Sequence, residues 1–170
     1  MKTAAILVED LYQEMEVWVP AYRLREAGIK TVFVGTGKPE YKSKLGYPVK
    51  AETSVKEVKA ADFDALVVPG GFAPDYLRRH EATSKLVRDM DQAGKPVGAI
   101  CHALWVLCSA GILKGRKVTS FFAIKDDVVN AGAQWVDQEV VVDRNLVTSR
   151  TPEDLPAFNR ELLQLIQARS

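Results

Sequence analysis

Chemistry in this 170-residue chain is most readily placed on one cysteine. In Val97-Gly-Ala-Ile-Cys101-His102-Ala103 an apolar strand pattern runs into a helical pattern with no loop between them. Cys101 therefore sits on a tight strand-to-helix turn, flanked by the small residues Ala99 and Ala103. That is the logic of a nucleophile elbow, with cysteine as nucleophile and alanine standing for glycine. A helix N-terminus aimed at the sulfur favours thiolate over thiol. Cys108, in an apolar helical stretch, reads as core.

His102 follows directly, and the only other histidine is His80. An imidazole beside a thiol takes and returns protons or holds the thiolate as an ion pair. A histidine at a helix start also bonds to backbone, and adjacency in sequence does not choose between these roles. Cys101 and Cys108 lack the close spacing of a zinc site, so no metal is expected. Pro69-Gly70-Gly71 ends another apolar run and offers unhindered N–H groups, which with the amide of His102 suit a developing oxyanion. After the first apolar run come Glu9, Asp10, Glu14 and Glu16. A carboxylate reaching Cys101 would have a raised pKa beside a thiolate. Spacing does not choose among the four.

These residues need a scaffold, and the hydrophobic pattern supplies one. Short apolar runs at 4–8, 31–34, 65–68 and 96–100 alternate with helical patterns at 14–27, 75–93 and 103–110. The Lys-rich stretch 38–47 reads as a surface loop or small hairpin. Glu139-Val-Val-Val-Asp143 and Leu146-Val-Thr148 flank the turn pair Arg144-Asn145, a hairpin signature. Leu155, Phe158, Leu162, Leu165 and Ile166 form one stripe on a last helix. The pattern predicts an α/β fold, an open and mostly parallel sheet with helices on both faces, as a single domain over 1–170. Such sheets carry their sites at the carboxyl ends of strands, here after Val8, Val68 and Ile100.

Composition narrows the function class. Hydrophobic residues make up 47% and charged residues 26%, with a net charge of +1, so no broad field for nucleic acid exists. No apolar run approaches the ~18 residues of a membrane span, and Glu9 interrupts the N-terminal apolar run too early for a secretory signal. Two cysteines make no disulfide framework, and the chain reads as cytoplasmic, with reduced thiols.

Two longer runs carry a specific resemblance: Phe63-Asp-Ala-Leu-Val-Val-Pro-Gly-Gly-Phe-Ala-Pro-Asp75 and Gly94-Lys-Pro-Val-Gly-Ala-Ile-Cys-His102. With Gly115-Arg-Lys, Lys125-Asp-Asp, Asn130-Ala-Gly and Thr148-Ser-Arg-Thr-Pro-Glu-Asp-Leu-Pro-Ala-Phe-Asn-Arg160, they resemble the PfpI intracellular protease family. That family belongs to the class I glutamine amidotransferase-like superfamily and is related to the Parkinson-disease protein deglycase. The resemblance covers essentially the whole chain. It implies a flavodoxin-like three-layer sandwich with Cys101 as nucleophile and Gly70 and Gly71 as the oxyanion glycines. Gln13-Glu-Met-Glu16 matches the segment whose glutamate bonds the cysteine, which selects Glu16. It also implies that an acid from a neighbouring subunit completes His102. The matching position is Asp75, where protease-type members tend to have Glu, so a homodimer or hexamer is expected. No cofactor is implied.

The chain departs from the pattern in two places. The segment 148–158 contains no histidine, so glutaminase chemistry lacks its base. Ala103-Leu-Trp105 stands where protease-type members have Gly-Pro-Gln, and Phe121 stands where some place a tyrosine. Both changes reshape the pocket mouth and weaken the case for peptide substrates. The expected function is a cysteine-dependent hydrolase or lyase acting on reactive aldehydes such as methylglyoxal, of glyoxalase III or deglycase type. The alternatives are an intracellular cysteine peptidase and a redox sensor or holdase chaperone in which Cys101 oxidises to a sulfinate.

Overall fold

Apolar runs covered on both faces become parallel strands, and the computed structural model, which describes residues 1–169, places them in that way. The first half of the chain supplies β1 (Thr3–Leu7), α1 (Glu14–Glu26), β2 (Lys30–Gly35), β3 (Glu40–Lys42), β4 (Pro48–Lys50) and β5 (Thr53–Ser54). Next come β6 (Ala65–Val68), α2 (Ala73–Leu77), α3 (Glu81–Gln92), β7 (Val97–Ile100) and α4 (Leu104–Ala110). The last part holds β8 (Lys117–Val118), α5 (Lys125–Asn130), β9 (Gln134–Trp135), β10 (Val141–Asp143), β11 (Leu146–Ser149) and α6 (Leu155–Ala168).

Seven strands form the central sheet in the order β10-β11-β7-β6-β1-β2-β5. Every pairing is parallel except β10 with β11, the hairpin expected at Arg144-Asn145. Helices α1 and α6 pack together on one face, and α3 and α4 pack together on the other. The result is the expected three-layer α/β sandwich. In α6, Leu155, Phe158, Leu162 and Ile166 are buried against the sheet, and Leu165 stands at its margin. Each full burial is worth roughly 1.5–3 kcal/mol.

One expectation is corrected, and another is resolved to the hairpin among its two alternatives. The helix expected over 75–93 is two helices, because Arg78 to His80 leave the helical path and His80 adopts an extended backbone at φ −103°, ψ 115° before α3. The stretch 38–47 belongs to an antiparallel hairpin, β3 paired with β4, whose turn is drawn tight by Ser43. The Ser43 N–H donates to Tyr47 O at 2.9 Å, and its hydroxyl accepts from the Tyr47 N–H at 2.8 Å.

The opposite, amino-terminal edge of the sheet is tied by one buried arginine. Arg116 donates to Asp91 at 2.9 Å, to Asp143 at 3.3 Å and to Asn145 Oδ1 at 3.0 Å. Asn145 in turn donates to Asp91 and to the carbonyl of Lys95, both at 3.0 Å. This network joins the end of α3 to the β10–β11 turn.

Candidate active site

Three neighbouring strands, β1, β6 and β7, end at the same edge, and the loops that follow them meet there. Cys101 leaves β7 with φ +65°, a left-handed backbone that a side chain normally avoids. The elbow thus holds its residue in a strained conformation, a state that persists only where the surroundings impose it. Here they do so with Ala99 and Ala103 fully buried on either side and Phe121 N–H bonded to the Cys101 carbonyl at 3.2 Å. The sulfur remains only 8% exposed as a residue.

Glu16 reaches the sulfur from the start of α1. Gln13 caps that helix, its side-chain oxygen accepting from the N–H of Met15 at 2.6 Å and of Glu16 at 3.4 Å. The cap turns Glu16 inward, where it is 0% exposed. Its Oε2 accepts the Gly70 N–H at 2.7 Å, and its Oε1 has no partner. A side chain at Gly70 would place its first carbon 2.5 Å from Glu16 Oε2 and 2.7 Å from Cys101 Cβ. Only glycine lets the two side chains lie this close.

The second glycine has a different task. Gly71 adopts φ +76°, bridges to Tyr12, and directs its N–H, together with that of His102, towards the Cys101 sulfur. The loop after β1 is stitched to this turn by Gln13 N–H to Gly70 O at 3.3 Å and Phe72 N–H to Leu11 O at 2.9 Å. The expectation of a Gly70 oxyanion donor is therefore corrected: the Gly70 N–H is committed to Glu16. The donors that face the sulfur belong to Gly71 and His102.

His102 Nδ1 lies 3.2 Å from Cys101 Sγ. The imidazole stacks on Phe121 with centroids 4.8 Å apart and meets the edge of Trp105 at 5.2 Å. Asp75 does not line the cavity that holds the imidazole, and its carboxylate pairs with Arg79 one turn along the chain at 2.5 Å. Around these groups lies a cavity of about 390 Å³, walled by Phe72, Trp105, Phe121 and Pro152 and edged by Lys44.

Electrostatics couples the acid and the thiol. Burial pushes the Glu16 carboxyl up to about 8, opposed by the Gly70 N–H and the Lys44 charge. Burial, and then the charge of Glu16, push the Cys101 thiol up to about 12, opposed by the N–H groups of His102 and Gly71. Burial and Lys44 lower the His102 pKa, which keeps its ring neutral near pH 7. The thiolate expected from a helix N-terminus is corrected as well. Cys101 opens a 3-10 turn, Cys101–Ala103, and α4 behind it is only seven residues long. Burial sets the thiol's high pKa first, and a proton resting on Glu16 removes the charge that adds to it.

Of the residues expected from sequence, the structure gathers Cys101, His102, Glu16, Gly70 and Gly71 into one place and leaves Asp75 outside. The other acids are spent elsewhere. Glu9 is buried against Thr36, Asp10 pairs with Lys38, and Glu14 accepts the Leu45 N–H at 2.7 Å. Sequence reasoning missed Lys44 and Phe72. Cys108 is half-buried rather than core, with Sγ 3.8 Å from the Asp127 carbonyl.

A mostly parallel α/β sandwich with a cysteine on a strained strand-end elbow, beside a buried glutamate, defines a class of fold and site. The chain belongs to the DJ-1/PfpI family, whose model matches residues 2–165. It is 45% identical over 156 residues to Deglycase PfpI of Pyrococcus furiosus, covering 92% of this chain and 94% of that protein. It is 47% identical over 170 residues to Protein/nucleic acid deglycase 2 of Escherichia coli, covering 98% and 99%. Among solved structures, Drosophila melanogaster DJ-1beta superposes with a TM-score of 0.89 at 32% identity, covering 97% of this chain and 90% of that one. Among the described residues no helix is long and apolar enough to cross a membrane.

Proposed function

We propose that the protein is a cysteine-dependent enzyme acting on reactive aldehydes and the adducts they form, with methylglyoxal as a representative substrate. The observation that carries this reading is the fully buried Glu16, held by one oxygen and open at the other beside Cys101. With a pKa of about 8, it is protonated at rest and able to give and take back a proton at neutral pH. The relatives named deglycases support the same assignment.

In the reaction, the Cys101 sulfur bonds to the aldehyde carbon and its oxygen takes a proton, giving a hemithioacetal. The N–H groups of Gly71 and His102 stabilise the oxygen while it is charged. Glu16 or His102 then removes the hydrogen of that carbon, and a proton returns at the neighbouring carbon, leaving a thioester of lactate. Water cleaves the thioester, so that methylglyoxal and one water give lactate and the free thiol. In a glycated side chain the amine is the leaving group instead.

The cavity of about 390 Å³ has aromatic walls and suits one small molecule or one modified side chain better than a peptide in extended form. A second copy of the chain supplies Asp75 to His102, which has no carboxylate partner among the described residues of its own subunit. Free thiols at Cys101 and Cys108 suit a reducing cytoplasm. The test is consumption of methylglyoxal with chiral detection of lactate, for the wild type and for Cys101→Ala. Lactate from the wild type alone is expected; no lactate from either protein would overturn the reading.

A further inference from the structure

The cavity beside Cys101 contains one charge that the reaction above does not use. Lys44 stands at its edge, on the turn between β3 (Glu40–Lys42) and β4 (Pro48–Lys50). Its backbone is pinned from three sides. Its own N–H donates to Tyr12 O at 2.9 Å, Leu45 N–H donates to Glu14 Oε1 at 2.7 Å, and Gly46 N–H donates to Ser43 O at 3.0 Å. Its backbone is therefore held by a fixed turn rather than by a free loop.

Its ammonium makes no ion pair with a carboxylate among the described residues. Glu14, the acid on the adjoining turn of α1, feels the Lys44 charge but spends its Oε1 on the Leu45 N–H. Yet Lys44 acts on all three reacting groups at once, drawing down Glu16, Cys101 and His102. An exposed cation without an ion pair, at the rim of an aromatic-walled cavity that holds a nucleophile, is the composition of a site for a small anion.

We propose that Lys44 forms an anion subsite next to Cys101, which receives the carboxylate of small 2-oxo and 2-hydroxy acids. The inference rests on Cys101 as the reactive thiol. It adds a ligand class: 2-oxo acids with an aldehyde carbon, whose carboxylate is bound by Lys44 while the Cys101 sulfur adds to the aldehyde carbon and its oxygen takes the thiol proton, a hemithioacetal that reverses without turnover. A neutral 2-oxoaldehyde lacks this contact at entry, but its product gains it, because a carboxylate appears only after the thioester is cleaved. Lys44 thus acts as a specificity and product-binding residue, not as an acid or base.

A pair of alkylating agents tests this without any aldehyde turnover. Iodoacetate and iodoacetamide react with the same Cys101 thiolate, the sulfur displacing iodide in both cases, and differ in the carboxylate. The ratio of their second-order rates cancels any change in thiol acidity. Cys108→Ser background protein keeps the reading to one thiol. In wild-type protein the ratio favours iodoacetate, Lys44→Met lowers it by roughly tenfold, and Lys44→Arg restores it. High salt lowers the wild-type ratio and leaves that of Lys44→Met unchanged. Lactate slows iodoacetamide labelling in the wild type but not in Lys44→Met. An equal ratio in wild type and Lys44→Met overturns the proposal. If the ratio depends on Lys44 while no lactate is made from methylglyoxal, the subsite stands and the proposed reaction falls.

Discussion

Gly70 donates its backbone N–H to Glu16 Oε2 at 2.7 Å across 54 residues of sequence, while Oε1 stays buried with no partner. One hydrogen bond fixes the acid's position without satisfying its charge. The carboxyl is held in its neutral form by burial, and the native fold carries the cost of that arrangement.

Glu16→Gln exposes the cost. The Glu16 carboxyl rises from 4.5 to about 8 on folding, so between those values the native state holds a proton that the unfolded chain releases. Wild-type stability therefore falls as pH rises from about 5 to about 8. Glutamine keeps the acceptor for Gly70 and has no such dependence. Urea unfolding at pH 5 and pH 8 is expected to show the variant gaining on the wild type by roughly 2 kcal/mol or more. Parallel curves would refute the assignment. Activity drops by about a hundredfold or more.

The backbone of Cys101 gives a second prediction. At φ +65° every residue with a Cβ is strained, and glycine is not. Cys101→Gly is expected to be more stable than Cys101→Ala by about 1 kcal/mol, although both lack the nucleophile. Equal thermal midpoints for the two variants would mean that the elbow is relaxed.

Asp75 is tied to Arg79 inside its own subunit. If it completes His102 across an interface, Asp75→Ala and Cys101→Ala are each inactive alone. Mixed subunits then regain activity, because one hybrid site joins an intact Cys101 to an intact Asp75. A fully active Asp75→Ala enzyme would remove the acid from the reaction.

Arg116 predicts the opposite behaviour. Removing its guanidinium strands Asp91 and Asp143 at the far edge of the sheet, so Arg116→Ala costs about 3–5 kcal/mol in urea unfolding. The kcat of the folded fraction stays unchanged. A lowered kcat would show that the two edges communicate.

Much of this was legible beforehand, for identifiable reasons. The parallel strands announce themselves because they are apolar on both faces, and Cys101 stands out because strand and helix patterns abut there. Glu16 could not be told from Glu9, Asp10 and Glu14 by spacing, since burial and partners separate the four and these form only on folding. The resemblance alone selected it. Gly70 and Gly71 look equivalent in sequence, yet one N–H turns to the acid and the other to the sulfur. Lys44 was invisible because the β3–β4 hairpin brings it to the site, and a lysine among lysines reads as solvated surface. The break at His80 was hidden by a helical pattern that continues through it.

The site is assembled from the ends of β1, β6 and β7, so Glu16, Gly70 and Cys101 meet only after two parallel pairings of long sequence separation, β1 with β6 and β6 with β7, are made. No shorter piece of the chain contains a working fragment, and a half-folded intermediate holds a thiol with neither acid nor oxyanion donors around it. Such a species adds to aldehydes only as any free thiol does, and lacks the groups that turnover of the proposed reaction requires. Recovery of turnover during refolding is consequently a reporter of the last step, and a sharper one than the return of helical signal.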